Sequence, residues 1–111
     1  MKNILKAEFQ VSIGSKNFDC HLSMNAFRIL GQKFGVKLSE IDKFVNDDPL
    51  TAMPALAYCA AVNSAMRKGK KVAMDFDQFA ALMLDNDDSI KQVSEALAAA
   101  FGTDEEQSGN E

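Results

Sequence analysis

Apolar and polar residues alternate near the start of the chain: Phe9, Val11 and Ile13 interleave with Glu8, Gln10 and Ser12, and Phe18, Cys20 and Leu22 with Asp19, His21 and Ser23. Period-two alternation sends the two sets to opposite faces of a strand, and the turn formers "GSKN" stand between the runs, so the pattern predicts a β-hairpin with one apolar face. From Ser23 the period becomes helical. Ser23 or Asn25 can cap a helix whose one face carries Phe27, Leu30, Gly31 and Phe34, and Gly35 stops it. A short second helix covers residues 39–46, with Leu38, Ile41 and Val45 on its buried face. Asp48 can then cap a long helix with Pro49 at its first position, where the missing amide costs nothing, while Pro54 is expected to kink it or delay its start. Alanines at positions 52, 55, 57, 60 and 61 keep its sides slim, and the basic run at 67–71 puts positive charge at its negative end before Gly69 terminates it.

Asp75, with Gln78 at the capping-box position, opens a fourth helix. A fifth runs from about Ser89 to Phe101, capped by Asp88 or Ser89, with Ile90, Val93, Leu97 and Phe101 on one stripe and Lys91, Gln92, Ser94 and Glu95 facing away. The fold class is therefore α+β: an N-terminal β-hairpin followed by a mainly helical part of about five helices. Residues 1–102 read as one domain, and 103–111, "TDEEQSGNE", as a disordered acidic tail. A chain of 111 residues with 47% hydrophobic content can bury a core without metal or disulfide staples. Phe27, Leu30, Phe34, Ile41 and Leu56 are expected to pack together in it.

The stretch "GQKFGVKLSEIDKFVNDD" at 31–48 has the form of a helix-turn-helix DNA reader, with Gly31 small at the crossing, Gly35 and Val36 in the turn, and Ile41 and Phe44 packing the second helix down. Its charges are wrong for that role. The residues that helix offers to a groove are Glu40, Asp42, Lys43, Asn46, Asp47 and Asp48, four of them carboxylates, on a chain of net charge -4. Binding a duplex depends on Lys and Arg displacing condensed counterions, so nucleic acid is not an expected partner and the motif reads as a packed helical corner.

Candidate chemistry is sparse. Cys20 and Cys59 offer no close-spaced metal pair, and Cys20 cannot use the adjacent His21, the only histidine, as a base because neighbours on a strand point to opposite faces. Both are expected to be reduced and buried. Residues 85–96 begin like a calcium loop but have Ile90 where the turn needs glycine and Ala96 where the bidentate glutamate belongs. No phosphate loop, HExxH or GxSxG string occurs, so no catalytic residue, metal or cofactor is assigned, and the chain reads as a non-enzyme. The start "MKNILKAEFQ" lacks the apolar run of a signal peptide, and the longest apolar run, 52–62, is too short to span a bilayer, which points to the cytoplasm and away from membranes.

A hairpin flowing into a helix, then a helical corner, a long alanine-rich helix and a final helical pair is an order that resembles the small tail assembly chaperones of long-tailed phages and prophages. The matching residues are Leu22, Asn25, Ala26, Leu30 and Gly35, the "KLSEI" opening at 37–41, the long helix from about Leu50, and "MDFDQFAALM" at 74–83. The resemblance covers roughly Phe9 to Leu84. It implies a binding protein in the host cytoplasm that keeps apolar helices of the tape measure protein soluble during tail assembly. The tail tube protein and a second copy of the chain are further partners that it allows. A helical interaction or adaptor module and, behind it, a helix-turn-helix regulator are the alternatives.

Independently of the resemblance, Met24, Met53, Met66, Met74 and Met83 are adaptable side chains suited to such a surface, and equally to core filling. The segment "FAALML" at 79–84 is apolar around too much of its helix for one neighbour to bury. Phe79, Leu82, Met83 and Leu84, with the stripe Val93, Leu97 and Phe101, are therefore the candidate partner-binding residues, expected to be partly exposed in the free protein. The alternative is that they close the core against the hairpin.

Overall fold

The computed structural model describes residues 7–102, with the side chains of Ala7 and Phe101 outside that description. It has the α+β architecture that the hydrophobic pattern predicts. Strands β1 (Ala7–Ile13) and β2 (Lys16–Leu22) pair antiparallel, in register from Ala7↔Leu22 to Ile13↔Lys16. Gly14 takes φ 63 in the turn between them, a left-handed conformation open to a residue without Cβ. Five α-helices follow: α1 (Met24–Phe34), α2 (Ile41–Asp47) entered through a 3₁₀ turn at Leu38–Glu40, α3 (Pro49–Arg67), α4 (Phe76–Leu84) and α5 (Asp87–Leu97), which runs on into a π-helical turn.

Helix α3 is the axis of the molecule. Its stretch from Pro54 to Ala61 is buried on every side, as expected of a helix apolar all round, and it packs against β2, α1 and α4. Pro54 does not delay its start: the helix runs unbroken from Pro49 to Arg67. The carbonyl that Pro54 leaves unbonded belongs to Leu50, in the exposed first turn, where water can replace the missing amide. Among the expected core residues, Phe27, Leu30, Ile41 and Leu56 are buried and Phe34 packs against them half-buried. A chain of edge-to-face rings, Phe34, Phe76, Tyr58, Phe79 and Phe18, with centroids 4.8 to 5.6 Å apart, joins the end of α1 to the hairpin.

Two polar ties fix this arrangement. Asn63, buried in α3, donates through Nδ2 to the His21 carbonyl (2.8 Å) and the Ser23 hydroxyl (3.0 Å), and its Oδ1 accepts from Asn25 Nδ2 (2.8 Å). At the other side of the hairpin, the outward edge of β1 is held by α5, where Ser12 N donates to Gln92 Oε1 (2.8 Å) and the Ser89 hydroxyl donates to the Ser12 carbonyl. Several expectations change here. Ser23 stands at the N-cap of α1 without a side-chain cap bond, because its hydroxyl serves Asn63. Helix α5 begins at Asp87, not near Ile90, because Asn86 is the cap, accepting from the amides of Asp88 and Ser89. Gln92 faces β1 and not solvent. Asp75 caps α4 as predicted, accepting from Gln78 N at 2.9 Å.

Candidate functional site

The helix stripe expected to bind a partner lies inside the molecule. Phe79, Met83 and Val93 are fully buried and Leu97 nearly so, while Leu82 and Leu84 are half-buried; the side chain of Phe101 lies outside the described residues. The expected partial exposure of Phe79, Met83, Val93 and Leu97 is therefore corrected. Helix α4 is covered from three directions, by α3, by the hairpin and by α5. Phe79 stacks edge-on against Phe18 and Tyr58, and Leu82 Cδ1 lies 3.6 Å from where a Cβ on Gly14 would stand. The apolar excess of "FAALML" is real, and the fold itself absorbs most of it.

Apolar surface stands instead on the corner between α1 and α3. Leu38, expected on the buried face of the second helix, is 51% exposed, and Leu50 at the first turn of α3 is 68% exposed. They bracket α2, whose only fully buried residue is Ile41. Val36, Phe44, Val45 and Met53 are half-buried in the same region. Leu38 stands three residues before the first residue of α2 and Leu50 three after its last, at the two ends of a seven-residue helix about 10 Å long. Its outward rim carries Glu40, Asp42, Asp47 and Asp48, of which Asp47 pairs with Lys43 at 2.7 Å. The misplacement of Leu38 has a local cause. Leu38 belongs to the 3₁₀ turn ahead of α2 and not to the helix itself, so the helical period that sets it beside Ile41 does not reach it.

A concave region lies elsewhere, over the polar face of the hairpin at the C-terminal end of α3, with a volume of about 560 Å³. The register sets Glu8 opposite His21 and Gln10 opposite Asp19. His21 Nδ1 lies 3.0 Å from Glu8 Oε2, and Arg67 approaches the same oxygen only to 4.0 Å. Beside them Asp19 accepts from Gln10 Nε2 and Lys68 Nζ, both at 2.6 Å, and Lys68 with Gln10 holds its carboxyl below the usual range. Ser64 of α3 completes the wall. Residue order does not reveal this group, since Glu8, His21 and Arg67 are distant in the chain: the hairpin register pairs the first two, and the packing of α3 on β2 brings the third. The one local signal is "AAVNSAMR", where two polar residues interrupt an apolar helix.

Neither cysteine adds a nucleophile. Cys20 and Cys59 are free and buried, and burial pushes both thiols up to about 12. At neutral pH they hold their protons, and Cys20 Sγ faces the Ala57 carbonyl at 3.7 Å, away from His21. Iodoacetamide is expected to label both only as fast as the native protein opens, and promptly in urea; fast native labelling of either thiol would contradict this burial. Among the described residues no group of three or more His, Cys, Asp or Glu could hold a metal ion, and no helix is long and apolar enough to cross a membrane. Compared with protein-family models, with curated proteins and with solved structures, the chain matches none.

Proposed function

We propose that the chain is a non-enzymatic binding protein, a phage or prophage tail assembly chaperone that works in the bacterial cytoplasm and holds apolar helices of the tape measure protein soluble. The observation that carries this reading is the α2 corner, where Leu38 and Leu50 stand exposed on either side of a helix that buries Ile41 and half-buries Phe44 and Val45. A seven-residue helix held by one buried and two half-buried side chains is less firmly fixed than the core helices, which suits a surface that must accept many apolar segments. The element order supports the same reading, since it is the order that the resemblance implies. Client contact moves from the α4 and α5 stripe to this corner.

Co-expression tests the assignment. The wild-type chain should keep an apolar tape measure fragment in the soluble fraction. Leu38→Asp with Leu50→Asp should abolish that while circular dichroism and melting stay near wild type, because neither side chain is in the core. A folded double variant that still rescues the fragment would move the client site elsewhere, and a wild-type chain without rescue would sink the chaperone reading. An adaptor module docking a folded partner would use the same corner. A DNA reader fits least, with Glu40, Asp42, Asp47 and Asp48 on the outward face of α2.

A further inference from the structure

We propose that the cleft between the polar face of the hairpin and the last turns of α3 is a second binding site, one for a carboxylate or phosphate oxyanion. The argument is an accounting of hydrogen bonds. Ser64 is 7% exposed and lines the cleft, yet its hydroxyl has no hydrogen-bond partner among the described residues. A buried hydroxyl left unpaired is costly, and such groups are rare in folded chains unless something completes them. One turn further along the same face of α3, Arg67 brings a guanidinium with five N–H donors whose one ion-pair contact among the described residues, to Glu8 Oε2, is long at 4.0 Å, and that oxygen already meets His21 at 3.0 Å.

The Arg67 guanidinium offers donors only, and the Ser64 hydroxyl can donate as well as accept, so this wall suits a ligand that brings acceptors. Lys68 is turned to Asp19, which receives its ammonium at 2.6 Å. An oxyanion entering between Ser64 and Arg67 would take one bond from the hydroxyl and a forked pair from the guanidinium, a geometry that planar carboxylates and phosphates accept. Glu8 need not leave. Its side chain is largely exposed and its closer partner is the His21 ring, so releasing its long contact with Arg67 costs little. The cleft volume of about 560 Å³ admits a small molecule or the end of a peptide. This site is separate from the α2 corner, and neither reading depends on the other.

Amide and side-chain NMR shifts of the full chain report the outcome. Titration with inorganic phosphate, with succinate, and with a short peptide bearing a free or an amidated C-terminus should move Ser64, Arg67 and His21 in the millimolar range. The amidated peptide is the exception and should leave them still. Phosphate alone acting would assign the site to phosphate-bearing ligands; the free-terminus peptide acting more tightly than succinate would assign it to chain ends. Ser64→Ala makes the sharper arm, because it removes an unsatisfied buried group: it should raise the melting temperature of the free protein while weakening binding at least fivefold. Arg67→Gln, at an exposed position, should abolish binding with the fold intact. No shift from any of the three probes, or shifts that both variants leave unchanged, would overturn the site. A fall in melting temperature for Ser64→Ala would show the hydroxyl to be structural and overturn it equally.

Discussion

Phe79→Ala is expected to lower the folding free energy by about 3 to 5 kcal/mol, the range for a large aromatic removed from a packed interior. Phe79 is fully buried, and its ring meets Phe18 at 5.5 Å and Tyr58 at 5.2 Å, both edge-to-face. Truncation deletes both ring contacts and leaves a cavity that α3, α4 and the hairpin cannot close together, because each is held by separate ties. Tyr58 is fixed by its hydroxyl on the Met74 carbonyl at 2.9 Å, and β1 by Ser12 on α5. Small domains have only about 5 to 15 kcal/mol in total, so the variant should lose a large part of its stability. Urea unfolding followed by circular dichroism measures it. A midpoint close to wild type would mean that Phe79 is solvent-facing and that the partner-binding role first assigned to it should be restored.

Asn63→Ala should be comparably damaging although it removes no apolar bulk. The amide of Asn63 engages the end of β2 through the His21 carbonyl, and the start of α1 through Ser23 and Asn25, so one side chain joins hairpin, helix α1 and helix α3. Alanine leaves a buried carbonyl without a donor and two side chains without their partner, at about 1 to 3 kcal/mol for each buried group stranded. Asn63→Asp, nearly isosteric, should be no better, since it turns a donor into an acceptor facing the His21 carbonyl. Unfolding midpoints and amide exchange at residues 21–26 report the loss. A change within the roughly 0.5 kcal/mol of ordinary surface substitutions would mean that the three bonds are replaced by water.

What could be read from residue order was whatever a local period or a local cap decides. The alternation around Phe9 to Leu22 needs no distant partner to make a hairpin, and helix ends are marked by backbone geometry at Gly35 and Pro49 and by a side-chain cap at Asp75. The α5 cap was misassigned because Asn86, Asp88 and Ser89 are all competent caps in one run, and tertiary contact decided: Ser89 was needed against the Ser12 carbonyl. The stripe of Phe79 and Met83 shows the limit more plainly. A helix apolar on more than one side must be covered on more than one side, but residue order does not say whether the cover is the same chain or another. Here the hairpin, α3 and α5 converge on it. Conversely, the helical period sets Leu38 on the buried face with Ile41 and Val45, and it stands exposed because it lies in the 3₁₀ turn ahead of α2 and not in the helix.

The clamp on the outer edge of β1 joins residues 77 and 80 positions apart in the chain, Ser12 with Ser89 and Ser12 with Gln92. For a chain made from its N-terminus, this means that β1 leaves the ribosome well before α5 and is completed only when α5 follows. Until α5 has emerged, the outward N–H and C=O of Ser12 have only water or another chain to pair with, and a bare strand edge pairs readily with a strand of another molecule. The wait is bounded by synthesis itself, several seconds at about 5 to 20 residues per second. Polysomes carrying many such chains side by side would hold their unclosed edges at high local concentration, so α5 acts as a stopper that ends each molecule's exposure to its neighbours.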